Sequence, residues 1–257
     1  MNRITEAFEN KKAFVAFITG GDPDIETTGN LIVAMAESGV DVIEIGIPFS
    51  DPVAEGSVIQ EADERALKNG CTVDKLFDMI KRVRVKVEIP LLFMTYINPI
   101  FVYGKERFME RCADCGINGI IVPDLPFEER DEISDDCKKH GIYQISMIAP
   151  TSRERIETIA KEAEGFLYCV SSLGVTGVRS KINTNIGEMI NQVKAVSPVP
   201  CAIGFGISTP EQARDMAAVS DGIIIGSAIV KLIAEYGNEC IEPVKDYVRK
   251  IKEAIVL

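Results

Sequence analysis

Histidine is almost missing from this chain: one, His140, stands among 257 residues. That removes Ser-His-Asp and Cys-His nucleophilic schemes and most histidine-based metal sites. His140 itself precedes Gly141 at an expected helix C-terminus, where the helix dipole accounts for it, on the side of a barrel away from chemistry. Basic residues are also short, with 28 Lys and Arg against 39 Asp and Glu and a formal charge of −11. That balance argues against a nucleic-acid or anionic-membrane binder. No stretch approaches the roughly 18 apolar residues of a membrane span. The opening MNRITEAFENKKAFVAF places Glu6, Glu9, Lys11 and Lys12 before only a short apolar run, unlike a secretory signal. The cysteines lack a framework: they are seven, an odd number, at 71, 112, 115, 137, 169, 201 and 240. A reducing compartment, and with it a cytoplasmic location, is the expectation. Cys112 and Cys115 form a C-x-x-C in ERFMERCADCG, which reads as a helix stopped by Gly116. With no second pair or His cluster beside them, they are expected to be structural rather than metal-binding. No Pro/Ser-rich linker, low-complexity tract or short repeat divides the chain.

What is present is ordinary globular material, 46% apolar and 26% charged, long enough for a large core. Eight β-rich runs recur: AFVAFIT (13–19), DVIEIGI (41–47), IPLLFMTY (89–96), GIIVPD (119–124), YQISMIAP (143–150), FLYCVSS (166–172), PCAIGF (200–205) and DGIIIGS (221–227). Their near-continuous apolar character suits strands covered on both faces, and helical spacing fills the segments between. Eight strands alternating with helices is the count of a TIM (β/α)8 barrel, expected here as a single domain over 1–257. A doubly wound open sheet stays as the alternative, because periodicity does not distinguish closure from an open edge. RITEAFEN reads as a short helix before the first strand. The segment 48–88 accommodates an active-site loop and two helices, SVIQEADERALKNG and TVDKLFDMIKRVRVK.

Functional residues of such a barrel sit at the C-terminal strand ends and in the loops that follow. Glu44 lies inside the apolar strand DVIEIGI, where desolvation would raise its pKa into the range useful for general acid–base work; a structural salt bridge is the competing reading. Asp51 and Glu55 follow in IPFSDPVAEGSVIQ, a loop shaped by Pro48, Pro52 and Gly56, and most acidic loop residues are merely solvated. Asp124, Tyr96 and Asn98 supply polar groups around the same rim, each a weak signal alone. Tyr168 within FLYCVSS reads equally as core packing. The glycines say more. LGVTG (173–177), GFG (204–206) and IIGSAIVK (224–231) follow strands six, seven and eight. Backbone N–H groups there, with a helix starting near Ser227, can surround a phosphate without a basic side chain. GFGIST is no dinucleotide fingerprint, since it lacks the third glycine and runs into Pro210.

With these residues in hand, the chain resembles the tryptophan synthase alpha subunit family over nearly its whole length. The match runs through FITGGDPD, IEIGIPFSDPVAEG, TYINPIFVYG, IIVPDLP, YCVSSLGVTG, GFGIST and GSAIVK. The resemblance implies a (β/α)8 barrel that cleaves indole-3-glycerol phosphate to indole and glyceraldehyde 3-phosphate by a retro-aldol reaction. It implies no cofactor in this chain and a separate PLP-dependent beta subunit that receives the indole, in an α2β2 heterotetramer. Carried over by motif, Glu44 is the general acid–base, Glu55 the second carboxylate partnering the indole N–H, and Tyr168 the tyrosine near the acid–base. Gly177, Gly206, Gly226 and Ser227 match phosphate-binding backbone positions. Phe17, Ile59, Tyr96, Ile121 and Phe205 fall around the indole, and Thr176 matches a mobile-loop threonine that reaches the second carboxylate on closure. Pro48, Phe49, Ser50 and Asp51 lie where alpha meets beta, which makes Asp51 an interface residue.

One position departs from the pattern. The family's second carboxylate is usually Asp, in a sequence like ADGP, whereas this chain has AEGS with Glu55. One extra methylene displaces a carboxylate by about 1 Å, enough to cost about 10²-fold in rate if the loop does not compensate. Two other readings therefore stay open at this level. A sugar-phosphate isomerase or epimerase would share the glycine loops, although such enzymes often use a barrel Lys, His or metal cluster. A non-catalytic barrel that binds ligand and activates a partner would let Glu55 mark lost activity.

Overall fold

Each of the eight apolar runs forms strand, and the ring they make is closed by an irregularity in the fifth. The computed structural model describes residues 3–170, 179–204 and 206–256. Nine parallel strands appear among them: β1 (Ala13–Thr19), β2 (Val42–Gly46), β3 (Leu91–Met94), β4 (Gly119–Ile121), β5 (Tyr143–Gln144), β6 (Met147–Ile148), β7 (Leu167–Val170), β8 (Cys201–Gly204) and β9 (Gly222–Ile225). Their order across the sheet is β5-β4-β3-β2-β1-β9-β8-β7-β6. The two edges of that order are one run of chain, separated only by Ile145 and Ser146. Gln144 pairs with Ile120 of β4, whereas Met147 pairs with Tyr168 of β7. The residues between them still bridge: Ile145 N–H donates to the Ile120 carbonyl at 2.9 Å, and Tyr168 N–H to the Ser146 carbonyl at 3.0 Å. The sheet thus returns to itself through a shared fifth strand and is a barrel, not an open doubly wound sheet. The continuous strand expected over 143–150 is broken because its first half ladders to one neighbour and its second half to the other. Pro150, with no N–H to give a ladder, then opens a 3₁₀ turn over Pro150–Arg155.

Side-chain alternation sorts two cores. Outward residues such as Phe14, Ile18, Ile43, Ile45, Phe93, Ile203 and Ile225 join the apolar faces of the surrounding helices. Inward ones, among them Val15, Val42, Leu92, Ile121, Tyr168, Ala202 and Ile224, fill the barrel. Ile4 and Ala7 of the short helix Arg3–Ala7, with Phe8, plug the N-terminal end of the barrel. The two helices expected after the 48–56 loop are Ser57–Lys68 and Val73–Val83, the second capped by the Thr72 hydroxyl accepting from Lys75 N–H. The C-x-x-C helix is Lys105–Cys115, ended by Gly116 at φ +88°. Its two cysteines are buried, and burial pushes the Cys115 thiol up to about 11. His140 closes the helix Asp131–His140 before left-handed Gly141. No described helix is long and apolar enough to cross a membrane.

Candidate active site

Because Ile43 and Ile45 turn outward, strand parity sends Glu44 into the barrel, in register with Phe17 of β1 and Leu92 of β3. Glu44 is fully buried, and neither of its carboxyl oxygens has a hydrogen-bond partner among the described residues. Desolvation by burial raises its pKa from 4.5 to about 8, so at neutral pH it holds a proton it can deliver. Among the described residues the competing salt bridge does not form. Tyr168 points into the same interior. Burial, and after it the charge of nearby Glu44, push its pKa well above 10. Tyr168 fits because its ring reaches past its register partner Ala202 to Gly204 on β8, where a Cβ would lie 2.6 Å from the tyrosine hydroxyl.

The same device seats Phe17. A Cβ at Gly46 would come within 2.7 Å of its Cζ, and one at Gly226 within 3.2 Å of its Cβ. Gly46 on β2 and Gly226 just past β9 thus leave room for the Phe17 side chain. Ile59 reaches over from the helix Ser57–Lys68 and packs with Phe17, Ala62 and Val230, while Ile121 is buried on β4. Gly226 is the N-cap of the helix Ser227–Tyr236, the helix expected near Ser227, and the Ser227 side is exposed. Gly206, also exposed, stands just past β8 at φ +77°. Thr176, Gly177 and Phe205 lie outside the described residues.

The rim is more tightly organised than the sequence suggests. Pro48 is buried and the Phe49 ring packs on Tyr96 with centroids 5.4 Å apart. The Tyr96 hydroxyl accepts from Ala54 N–H at 3.0 Å, which ties the loop to the start of the helix Ile97–Tyr103. Asp124 accepts from Ile97 N–H at 3.0 Å and so caps that helix, and Asn98 is exposed within it. The structure brings neither Asp124 nor Asn98 to the chemistry. Asp51 is exposed at the outer edge, accepting a hydrogen bond from the Ser50 hydroxyl.

Glu55 is half-buried and turned toward Asp63 and Tyr96, with Oε2 out of reach of solvent and without a well-aligned partner. Burial is the main cause of its raised pKa. Asp63, 3% exposed, is a site residue that sequence reasoning missed. Its signal is present all the same: Ile59, Ala62, Asp63 and Ala66 are the buried stripe of one helix, spaced i, i+3, i+4, i+7, and a carboxyl on such a stripe is out of place.

A closed parallel barrel, with a carboxyl inside it that has no partner among the described residues and a carboxyl pair at the rim, Glu55 on the loop and Asp63 on the helix beneath, defines a barrel enzyme equipped for proton transfer. The family model for the tryptophan synthase alpha chain matches residues 4–256. The tryptophan synthase alpha chain of Thermoanaerobacter sp. (strain X514) is 47% identical, over 99% of this chain and 100% of that one. Among solved structures, tryptophan synthase subunit alpha from Legionella pneumophila str. Paris superposes with a TM-score of 0.91 at 38% identity, covering 99% of this chain and 98% of that one. The tryptophan synthase complex from Pyrococcus furiosus gives a TM-score of 0.85 at 34% identity, over 94% and 98% of the two chains. This chain belongs to the tryptophan synthase alpha chain family.

Proposed function

We propose that this chain cleaves indole-3-glycerol phosphate to indole and glyceraldehyde 3-phosphate with Glu44 as the general acid–base, and passes the indole to a PLP-dependent beta subunit in an α2β2 assembly of the cytoplasm. The observation that carries the reading is the unpaired, fully buried Glu44 carboxyl. Its proton goes to indole C3, which breaks the aromaticity of the ring and leaves positive charge at the indole nitrogen. The carboxylate so formed takes the hydroxyl proton from the carbon that becomes the aldehyde. The carbon–carbon bond breaks, its electron pair returns to the ring, and Glu44 ends the cycle protonated as it began.

Glu55, on the loop above, partners the indole N–H while that nitrogen is positive. Tyr168 stands against Glu44, and Phe17, Ile59, Tyr96, Ile121 and Phe205 enclose the ring. The phosphate is held by backbone donors at Gly177, Gly206, Gly226 and Ser227, the last two at a helix N-terminus. Thr176 reaches Glu55 on closure. Pro48 and Asp51 face the beta subunit, and this chain needs no cofactor of its own. The deciding assay follows indole release from indole-3-glycerol phosphate by the chain alone and with a beta subunit. Turnover that rises in the complex is expected. Ligand binding without turnover in either state would make this a regulatory barrel and overturn the reading.

A further inference from the structure

Asp63 is buried on the helix under the loop that carries both Glu55 and the segment 48–51, and no family motif read from the sequence assigns it a role. Its Oδ2 accepts from Phe49 N–H at 3.5 Å. Glu55 folds back over it, and the Tyr96 hydroxyl closes the third side while accepting from Ala54 N–H at 3.0 Å. The other titratable groups facing Asp63 are Asp22, from the loop after β1, and Cys71, after the end of its own helix. Arg65 takes Asp22 in two hydrogen bonds of 2.8 Å each, so among the described residues no cation is left to neutralise Asp63. Two carboxyls in contact without a cation do not both ionise; they share a proton.

We infer that Asp63 is a positioning residue for the second carboxylate: it carries the shared proton, donates it as a hydrogen bond to Glu55, and so keeps Glu55 anionic and aimed while anchoring Phe49. The direction of sharing follows from the surroundings. Burial first, then the charge of Glu55, raise Asp63 from 3.8 to about 8, whereas the neighbouring Asp63 and Tyr96 partly offset the rise at Glu55. The arrangement also accounts for the longer side chain at 55, since Glu spans from the loop down to the Asp63 carboxyl. This inference rests on Glu55 being the partner of the indole N–H.

The test is the pH profile of indole release for wild type, Asp63→Ala and Asp63→Asn, with Glu55→Ala in parallel. Removing the donor should lower kcat about tenfold and move the acid limb about one unit to higher pH, because Glu55 loses the hydrogen bond that favours its ionised form. Asp63→Asn, whose amide can donate to Glu55 and accept from Phe49 N–H, should restore both. An acid limb that stays put in Asp63→Ala, or an Asn variant no better than Ala, overturns the inference while leaving Glu55 in place. Wild-type turnover in Glu55→Ala instead removes Glu55 from the mechanism, and this inference with it. Should the Ala variant fail to fold, carboxyl carbon NMR of the wild type and Glu55→Gln decides. The Asp63 titration must move downward when Glu55 becomes an amide, and an unmoved titration overturns the shared proton.

Discussion

Asp41 and Glu44 stand three residues apart, the first just before the short strand β2 and the second at its centre, and both are buried. Asp41, at the N-terminal end, is fully satisfied: it accepts from Phe14 N–H at 2.8 Å and pairs with Lys11 at 2.6 Å and with Lys252. Glu44, inside the barrel, has no partner at either oxygen among the described residues. Burying a carboxyl without partners is costly, so a fold that supplies three to Asp41 and none among the described residues to Glu44 gives up stability at Glu44 for reactivity there. The pair teaches that burial alone does not mark a functional acid; burial without partners does.

The sharpest test of that contrast is Glu44→Gln, with a loss of about 10³-fold or more in kcat, because the amide keeps the shape but transfers no proton. The same variant should be more stable. Between the unfolded value of 4.5 and the folded value of about 8, the unfolded chain gives up the Glu44 proton while the folded chain keeps it. Stability therefore falls across that window as pH rises, by about 3 kcal/mol at pH 7. Urea unfolding of both proteins at pH 5 and pH 8 reads it: the gap between them must widen toward pH 8. Equal gaps would mean that Glu44 is ionised in the fold.

At the loop above, Glu55→Ala should cost about 10²-fold in kcat with saturating beta subunit, and Glu55→Asp should slow the enzyme rather than improve it, since the shorter side chain no longer spans to Asp63. A faster Asp variant would show a drifted residue instead of an adapted one. At the satisfied carboxyl, Asp41→Ala should lower the unfolding free energy by about 2–4 kcal/mol, with kcat of the folded protein unchanged; a kcat effect would erase the division between the two carboxyls. The smallest change is expected from Gly206→Val. Its φ of +77° makes a side chain there cost about 1–2 kcal/mol of local strain, which should appear as a several-fold rise in KM for the phosphate substrate. A normal KM would remove Gly206 from the phosphate site.

Most of this architecture is legible in the sequence. AFVAFIT is β1 residue for residue, and the other runs overshoot their strands by up to three residues at an end, because apolar continuity extends past the last ladder hydrogen bond. Glu44 was readable as a carboxyl in an apolar strand. The break at Ile145–Ser146 was not, since it depends on which neighbours the strand meets rather than on its own composition. Asp124 looked like a rim acid but caps a helix whose start became visible only once Tyr96 was placed. Asp63 was hidden because a charged residue in IQEADERAL looks solvated until the helix is rotated against the barrel, which sets it on the inward stripe.

The ion pair between Asp41 and Lys252 spans 211 residues of chain. A ribosome delivers Asp41 early, with Lys11 already at hand, and holds Lys252 back until the helix Ile241–Ile255 emerges. Through most of synthesis the carboxylate beneath the nascent barrel has Lys11 as its one cationic partner, and the last helix brings the second. The pair thus ties the last helix to the start of the barrel, and a chain truncated ahead of that helix would leave Asp41 with one cation in place of two.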